Sequence, residues 1–297
     1  MLRKLRSIHS ILSDQSIPPA DIIGRGILPP KSLLMISGPH KSKKSFLGMN
    51  MALSLSNGKS FACFDISRPY KVMLLSGEGG YYSNSNRLKK MCDSKKMILG
   101  SILHCWFDAR FKLPRTLDVK KIQKLISTYH PEVLIIDPLI RFHEAEENSA
   151  TEMSVILGII RSFIEDYNLS IILVHHTGKN QFKNARGSSV ILGEYDSNIT
   201  IHSGEEEQTL SFDLRHAKSP NNINIKFDKD SYWFFTGKNI ESIYQKVFRD
   251  DIDLSRSDLV ERLMPIINRA KSTAYRQVDK DIAKGILVFR GGRYSLV

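Results

Sequence analysis

Cysteine is scarce in this chain of 297 residues: Cys63, Cys92 and Cys105 stand far apart, in or beside apolar segments. Three unclustered thiols argue against a disulfide framework and against a metal site, and buried thiols are the expectation. Long apolar runs are also lacking, so no membrane span is expected. The opening MLRKLRSIHSIL is basic and then briefly apolar, with no small-residue cleavage site after it. The expectation is therefore a soluble, cytoplasmic chain. Acidic residues are in short supply, 31 Asp and Glu against 43 Lys and Arg, for a formal net charge of +12. That excess points to a polyanionic partner and says nothing about fold. What is there in quantity, 41% hydrophobic and 25% charged residues, is ordinary globular composition, and the length suits one full core plus a small appendage.

The most informative stretch is Ser32 to Phe46, SLLMISGPHKSKKSF. An apolar run, Leu33 to Ile36, ends at Gly38, crosses a lysine-rich segment and opens into a helix at Phe46. Backbone N–H groups converge at such a turn, and the helix dipole adds roughly half a positive charge, so a polyphosphate is the natural occupant. The phosphate-loop template G-x-x-x-x-G-K-[ST] is met by Gly38, Pro39, His40, Lys41, Ser42, Lys43, Lys44 and Ser45, with Phe46 next, save at one position. Lys43 stands where the second glycine belongs.

Residues 1–30 read as an N-terminal arm, and 31–236 as an α/β core. A helix is expected over Phe46 to Ser56, closed by Asn57 and Gly58. A buried strand over Lys71 to Ser76 ends on Gly77, Glu78 and Gly79, and a carboxylate at a core strand's carboxyl end lies where parallel sheets place their ligand crevice. Glu78 is thus a candidate general base. Ser83 to Leu99 reads as a helix whose basic residues Arg87, Lys89, Lys90, Lys95 and Lys96 form a solvated outer face. Strand Ile102 to Phe107 and amphipathic helix Leu117 to Tyr129 follow. The strand Glu132 to Asp137, EVLIID, sets an acid at its tip, where Asp137 and the Ser45 hydroxyl would share a Mg²⁺ ion.

The segment Pro138 to Ala150, with Arg141, His143, Glu146, Glu147 and Asn148, reads as too polar to be buried and too long for a mere connection. After helix Ala150 to Tyr167, the strand Ser170 to Val174 delivers His175 and His176 to the same sheet edge. Side chains alternate along a strand, so one of the pair faces the nucleotide as a γ-phosphate sensor. The Gly178 to Ser189 loop carries Lys179, Lys183, Arg186 and the single aromatic Phe182, which suits either a single-stranded nucleic-acid phosphate track or a plain surface loop. Four alternating strands then read as a hairpin extension of the sheet, with Arg215 and Lys218 near one of them.

Residues 237–297 change character. Helices over Ile243 to Phe248, Arg256 to Met264 and Ser272 to Lys284, then a hairpin turning on Gly291 and Gly292, spell a small winged helix-turn-helix. Thr273, Arg276, Gln277 and Lys280 would lie on its recognition helix and Arg290 and Arg293 on its wing. Duplex DNA and a replication protein are both open as its partner.

The ordered motifs GPHKSKKSF, LLSGEGG followed by Arg87 and Leu88, LIIDPLIRFHEAEENSATEM, ILVHHTGK and ARGSS together resemble the RepA-type branch of RecA-like ATPases. These are hexameric replicative helicases and their relatives on plasmids, phages and other mobile elements. The resemblance covers about residues 20–235. It implies a RecA-like P-loop core, ATP and Mg²⁺ bound at subunit interfaces of a homo-hexamer, and single-stranded DNA in the ring centre. It further implies Lys44 and Ser45 on phosphates and Mg²⁺, Glu78 as the water-activating base, Asp137 as the metal acid, and His176 as the sensor. Two departures stand out. Lys43 replaces a glycine that lets backbone approach phosphate. The trans-acting finger, usually Lys-x-Arg, is reduced to Lys218 with Arg215 nearby, which implies slow or partner-dependent turnover. A DNA-acting ATPase, helicase or loader is the expected function. A non-hydrolysing, nucleotide-responsive DNA-binding regulator is the alternative, and a recombination mediator of the same fold stays open.

Overall fold

The apolar runs of the sequence become the strands of one sheet. The computed structural model describes residues 5–97, 100, 102–177, 189–204, 207–236, 244, 247–248, 253–267, 270–283 and 287–296. Strands β1 (Leu33–Gly38), β2 (Val72–Ser76), β3 (Leu103–Phe107), β4 (Val133–Asp137), β5 (Ser170–His176), β6 (Ser197–Ser203), β7 (Gln208–Leu214), β8 (Ile223–Phe227) and β9 (Phe234–Thr236) lie in the order β3-β2-β4-β5-β1-β6-β7-β8-β9. The first six in that order run parallel, and β7 returns antiparallel to β6. This is the expected mainly parallel α/β sheet with a hairpin extension.

The register matters more than the count. Gly38 pairs opposite His176, and Ser76 opposite Asp137. Ile136 pairs opposite Leu173, so β1 and β5 run two residues past the ends of β2 and β4, and all four open onto one edge of the sheet. β1, β2 and β4 are buried along their whole length, as sheet strands covered on both faces must be.

Helix α2 (Lys44–Asn57) has Leu47 to Ser56 all buried. One sheet face packs against α4 (Thr116–Tyr129) and α5 (Ala150–Tyr167) through Ile122, Ile126, Ile156, Ile160 and Phe163. The short helix α1 (Ile8–Leu12) buries no residue, whereas Ile22, Ile23, Ile27 and Leu28 are buried, so core packing reaches back into the segment read as an arm. Among the described residues no helix is long and apolar enough to cross a membrane.

Helix α3 runs Gly80–Lys95, and Lys89, Lys90, Lys95 and Lys96 are exposed as expected, with Arg87 half-buried. The Arg87 guanidinium lies 4.9 Å from the Phe46 ring, Lys90 Nζ 4.3 Å from Tyr232 and Lys95 Nζ 5.2 Å from Trp233, which is cation–π range. One reading needs correction: the Pro138 to Ala150 segment is not all solvated, since it opens with a 3-10 turn (Leu139–Phe142), and Leu139, Phe142 and His143 are buried. Cys92 is buried as expected, Cys63 half-buried, and Cys105 exposed because β3 is the sheet's edge.

The chain divides into two compact units, Met1–Ile223 with Phe227–Phe234, and Asn224–Lys226 with Phe235–Val297. The second holds helices α7 (Arg256–Ile267) and α8 (Lys271–Ala283), after the short α6 (Ser189–Glu194) of the first, and an antiparallel pair, β10 (Leu287–Arg290) with β11 (Arg293–Leu296). Its own core joins Tyr244, Leu259, Leu263, Val278 and Tyr294. Of the expected Ile243 to Phe248 helix, residues 243, 245 and 246 lie outside the described residues.

The rear of α2 is anchored by Asn50, fully buried, whose amide donates to Tyr232 O at 3.1 Å and accepts from Phe234 N–H at 3.0 Å. Asn50→Ala leaves two buried backbone groups unpaired. A loss of about 2–4 kcal/mol of unfolding free energy is expected in urea titrations; a loss below about 1 kcal/mol would mean that water replaces the amide.

Candidate functional site

The site begins with the turn between β1 and α2. Gly38 is required by close approach, since a Cβ there would stand 2.7 Å from the Ile201 carbonyl oxygen. Lys41 and Lys43 both adopt left-handed backbone, each with φ of 64°. Lys43, with ψ of 25°, directly precedes the first helical residue. The conformation that favours glycine is thus kept, and a lysine accepts it at a cost of about 1–2 kcal/mol. Its side chain leaves the loop, with Nζ 5.1 Å from the Phe227 ring, and burial lowers its pKa.

Lys44 is buried, and its ammonium donates to Gly38 O at 2.8 Å, Pro39 O at 2.6 Å and Ser42 Oγ at 3.3 Å. Burial pushes its pKa down to about 8, against the pull of Asp137 and Glu78. The Ser45 hydroxyl donates to Asp137 Oδ1 at 3.0 Å. Burial lifts the Asp137 carboxyl to about 6; the Ser45 bond opposes that rise and nearby Glu78 adds to it. An acid that is costly to ionise, beside a hydroxyl at a helix start, fits a divalent cation.

Glu78 leaves the β2 tip on a fixed backbone. Its carbonyl accepts from Asn84 Nδ2 at 2.7 Å and Ser76 Oγ at 3.2 Å, and Gly77 N–H donates to Asp137 O at 2.8 Å. Its carboxylate meets Arg141 Nε at 2.7 Å. Of the two histidines, His175 is buried, with Nδ1 3.7 Å from Glu147 Oε1. His176 turns outward and stacks on His40 of the loop, ring centroids 4.6 Å apart and 14° from parallel. Burial, then the nearby Lys44 charge, depresses the His176 pKa to about 4, so the ring is neutral at physiological pH and offers one donor and one acceptor.

Lys44, Ser45, Glu78, Asp137 and His176 therefore meet at one sheet edge. The candidate finger residues do not join them in this chain: Arg215 donates to Gly193 O, and Lys218 is exposed beyond β7. Lys179, Lys183 and Arg186 lie outside the described residues. Arg276 and Lys280 are exposed on α8, while Arg293 pairs with Asp253 at 2.9 Å and Gln277 holds buried Asp281 at 2.8 Å. Sequence reasoning missed Asn84 and Arg141. The fixed spacing of Asn84 after the Gly77 to Gly79 turn was an available signal; Arg141 left none.

A mainly parallel sheet bearing this glycine-and-lysine turn, with an acid and a histidine on neighbouring strand tips, defines a RecA-like P-loop fold. The chain belongs to the AAA domain family, whose model matches residues 3–181. Three solved structures share the fold. The RadB recombinase aligns with TM-score 0.52 at 15% identity over 70% of this chain and 92% of its own. A separately solved ATPase domain gives TM-score 0.54 at 12% identity, covering 77% of this chain and 95% of its own. A DnaB-like replicative helicase, solved with attention to its interactions with primase, gives TM-score 0.54 at 12% identity, covering 77% and 66%.

Two outcomes test this geometry. Lys43→Val, whose branched side chain resists left-handed backbone, is expected to lose about 1–2 kcal/mol in urea denaturation, whereas Lys43→Gly changes stability by less than about 1 kcal/mol. Equal tolerance of both would show that the loop does not need this backbone. For Asp137, the raised folded pKa means that ionisation is penalised in the folded state from about pH 4 upward, fully above about pH 6. Asp137→Asn escapes that penalty. It should be more stable than the parent at pH 7 by on the order of 1–3 kcal/mol, with the gap closing below pH 4; a pH-independent gap would contradict the assignment.

Proposed function

We propose that this chain is an ATP- and Mg²⁺-using RecA-like motor that acts on DNA, as a replicative helicase or helicase loader of a mobile element, working as a homo-hexamer. The observation that carries the reading is the meeting of Lys44, Ser45, Glu78, Asp137 and His176 at the strand tips of one sheet edge. Lys44 exchanges its loop carbonyls for phosphate oxygens, while the loop amides at the start of α2 hold the rest of the chain of phosphates. Ser45 and Asp137 would hold Mg²⁺, which when bound offsets charge on the β- and γ-phosphates. Glu78 takes a proton from water as the water oxygen bonds to the γ-phosphorus and the bond to the β–γ bridging oxygen breaks, giving ADP and phosphate. His176 reports the state of the γ-phosphate. Lys218, with Arg215, is the cation offered to a neighbouring subunit's nucleotide. Single-stranded DNA would follow Lys179, Lys183 and Arg186 in the ring centre, and the C-terminal unit would act as a winged helix presenting Arg276, Lys280 and Arg293 to duplex DNA or a replication protein.

A second reading, a nucleotide-responsive DNA-binding regulator with little or no turnover, is favoured by Lys43 at the glycine position and by Arg215 being tied to its own chain.

An ATPase titration with and without single-stranded DNA, run beside nucleotide binding and a mass measurement with a non-hydrolysable analogue, separates them. Lys44→Ala is expected to abolish nucleotide binding, and Glu78→Gln to keep it while losing about 10²-fold or more in turnover. Tight binding without turnover selects the regulator. No binding of ATP or ADP discards both readings.

A further inference from the structure

Arg141 has no part in the motifs described so far, yet it touches the site's candidate base. Its Nε is 2.7 Å from Glu78 Oε1, and among the described residues no other acceptor meets that guanidinium. The backbones behind this pair are locked together. Arg141 sits in the 3-10 turn whose Leu139 and Phe142 are fully buried. Its N–H donates to Pro138 O at 3.1 Å and its carbonyl accepts from Lys112 Nζ at 2.8 Å. A Cβ on Gly77 would stand 2.6 Å from the Arg141 Cβ, so Gly77 lets the turn lie directly against the base of Glu78. Only the two side chains are free to move. Both are well exposed, 58% for Arg141 and 39% for Glu78, and an ion pair this wet is held weakly.

We propose that Arg141 is a cation supplied within the same chain for the terminal phosphate of a bound nucleoside triphosphate, with Glu78 as its resting partner. This rests on the nucleotide reading of the Lys44 loop. A terminal phosphate carries more negative charge than one carboxylate and can accept two parallel N–H bonds from a guanidinium. It therefore outcompetes Glu78 for Arg141. Arg141 also lies within electrostatic reach of His176, on the side of the site that the terminal phosphate would occupy. One transfer of the guanidinium then has two effects: it fixes the phosphate and it frees the Glu78 carboxylate to take a proton from water. A diphosphate ends one phosphate short and leaves the Arg141–Glu78 pair intact. The cation made scarce by the reduced trans finger is thus provided in cis.

The test is binding with Mg²⁺ present, with no need for turnover: fluorescent ADP and a fluorescent non-hydrolysable ATP analogue titrated into the whole chain. Arg141→Met keeps the length of the side chain and removes its charge. Affinity for the ATP analogue is expected to fall about tenfold to a hundredfold, while ADP affinity stays within about twofold. Arg141→Lys should recover part of the difference. Glu78→Gln should not weaken the analogue. Equal weakening of both nucleotides, whether from a fold defect or from a role on the inner phosphates, overturns the proposal, and so does unchanged discrimination. If the unaltered chain binds neither nucleotide, the nucleotide reading fails and this inference falls with it; if it binds both and only the discrimination is unmoved, this inference alone fails.

Discussion

The Lys44 ammonium and the Asp137 carboxyl are both buried, within a few ångströms of the same turn, and neither is fully compensated by the other. Lys44 is satisfied by carbonyl oxygens of its own loop. Asp137 receives one hydroxyl hydrogen bond, from Ser45. Burial pushes each toward its neutral form, so neither charge is held there for stability. Everything that surrounds them serves to hold that arrangement. β1, β2 and β4 are buried over their length and open onto one edge, and the buried α2 carries Lys44 and Ser45.

The same constraint explains why the loop tolerates a lysine where glycine is the rule. The backbone at residue 43 must turn left-handed for α2 to start where it does, and Lys43 takes that geometry while sending its ammonium to Phe227. A second ammonium packed beside Lys44 would add repulsion to a group whose pKa burial already lowers. Placed over a ring, it fills an edge of the aromatic layer formed by Phe46, Phe227 and Tyr232.

Much of the core was legible because its signals are local. Apolar runs that stop at Gly38, Ser76, Asp137 and His176 mark strand ends, and parallel strands joined by helices must carry their ends to one edge. That only one of His175 and His176 faces the site needed no more than the two-residue period of a strand; that it is His176 came from the resemblance. What escaped has no period. The Leu139–Phe142 turn buries two apolar residues in an irregular segment, so its neighbour Arg141 reads as one more polar loop residue. The lysines of α3 are exposed as a helical wheel suggests, but the wheel does not show the Tyr232 and Trp233 rings, from more than a hundred positions further along the chain, that Lys90 and Lys95 lie over. Roles on the loop that ends at Ser189, and on part of the first C-terminal helix, belong to residues outside those described.

The seating of Arg87, Lys90 and Lys95 over aromatic rings changes what the surplus of basic residues amounts to. A nucleic-acid polyanion releases condensed counterions in proportion to the number of protein cations that actually meet its phosphates. Groups that lie over rings, or pair with carboxylates as Arg115 does with Glu144 and Arg293 with Asp253, must give up those contacts to join that exchange. Association with such a polymer would accordingly fade with rising ionic strength along a gentler gradient than a formal charge of +12 implies.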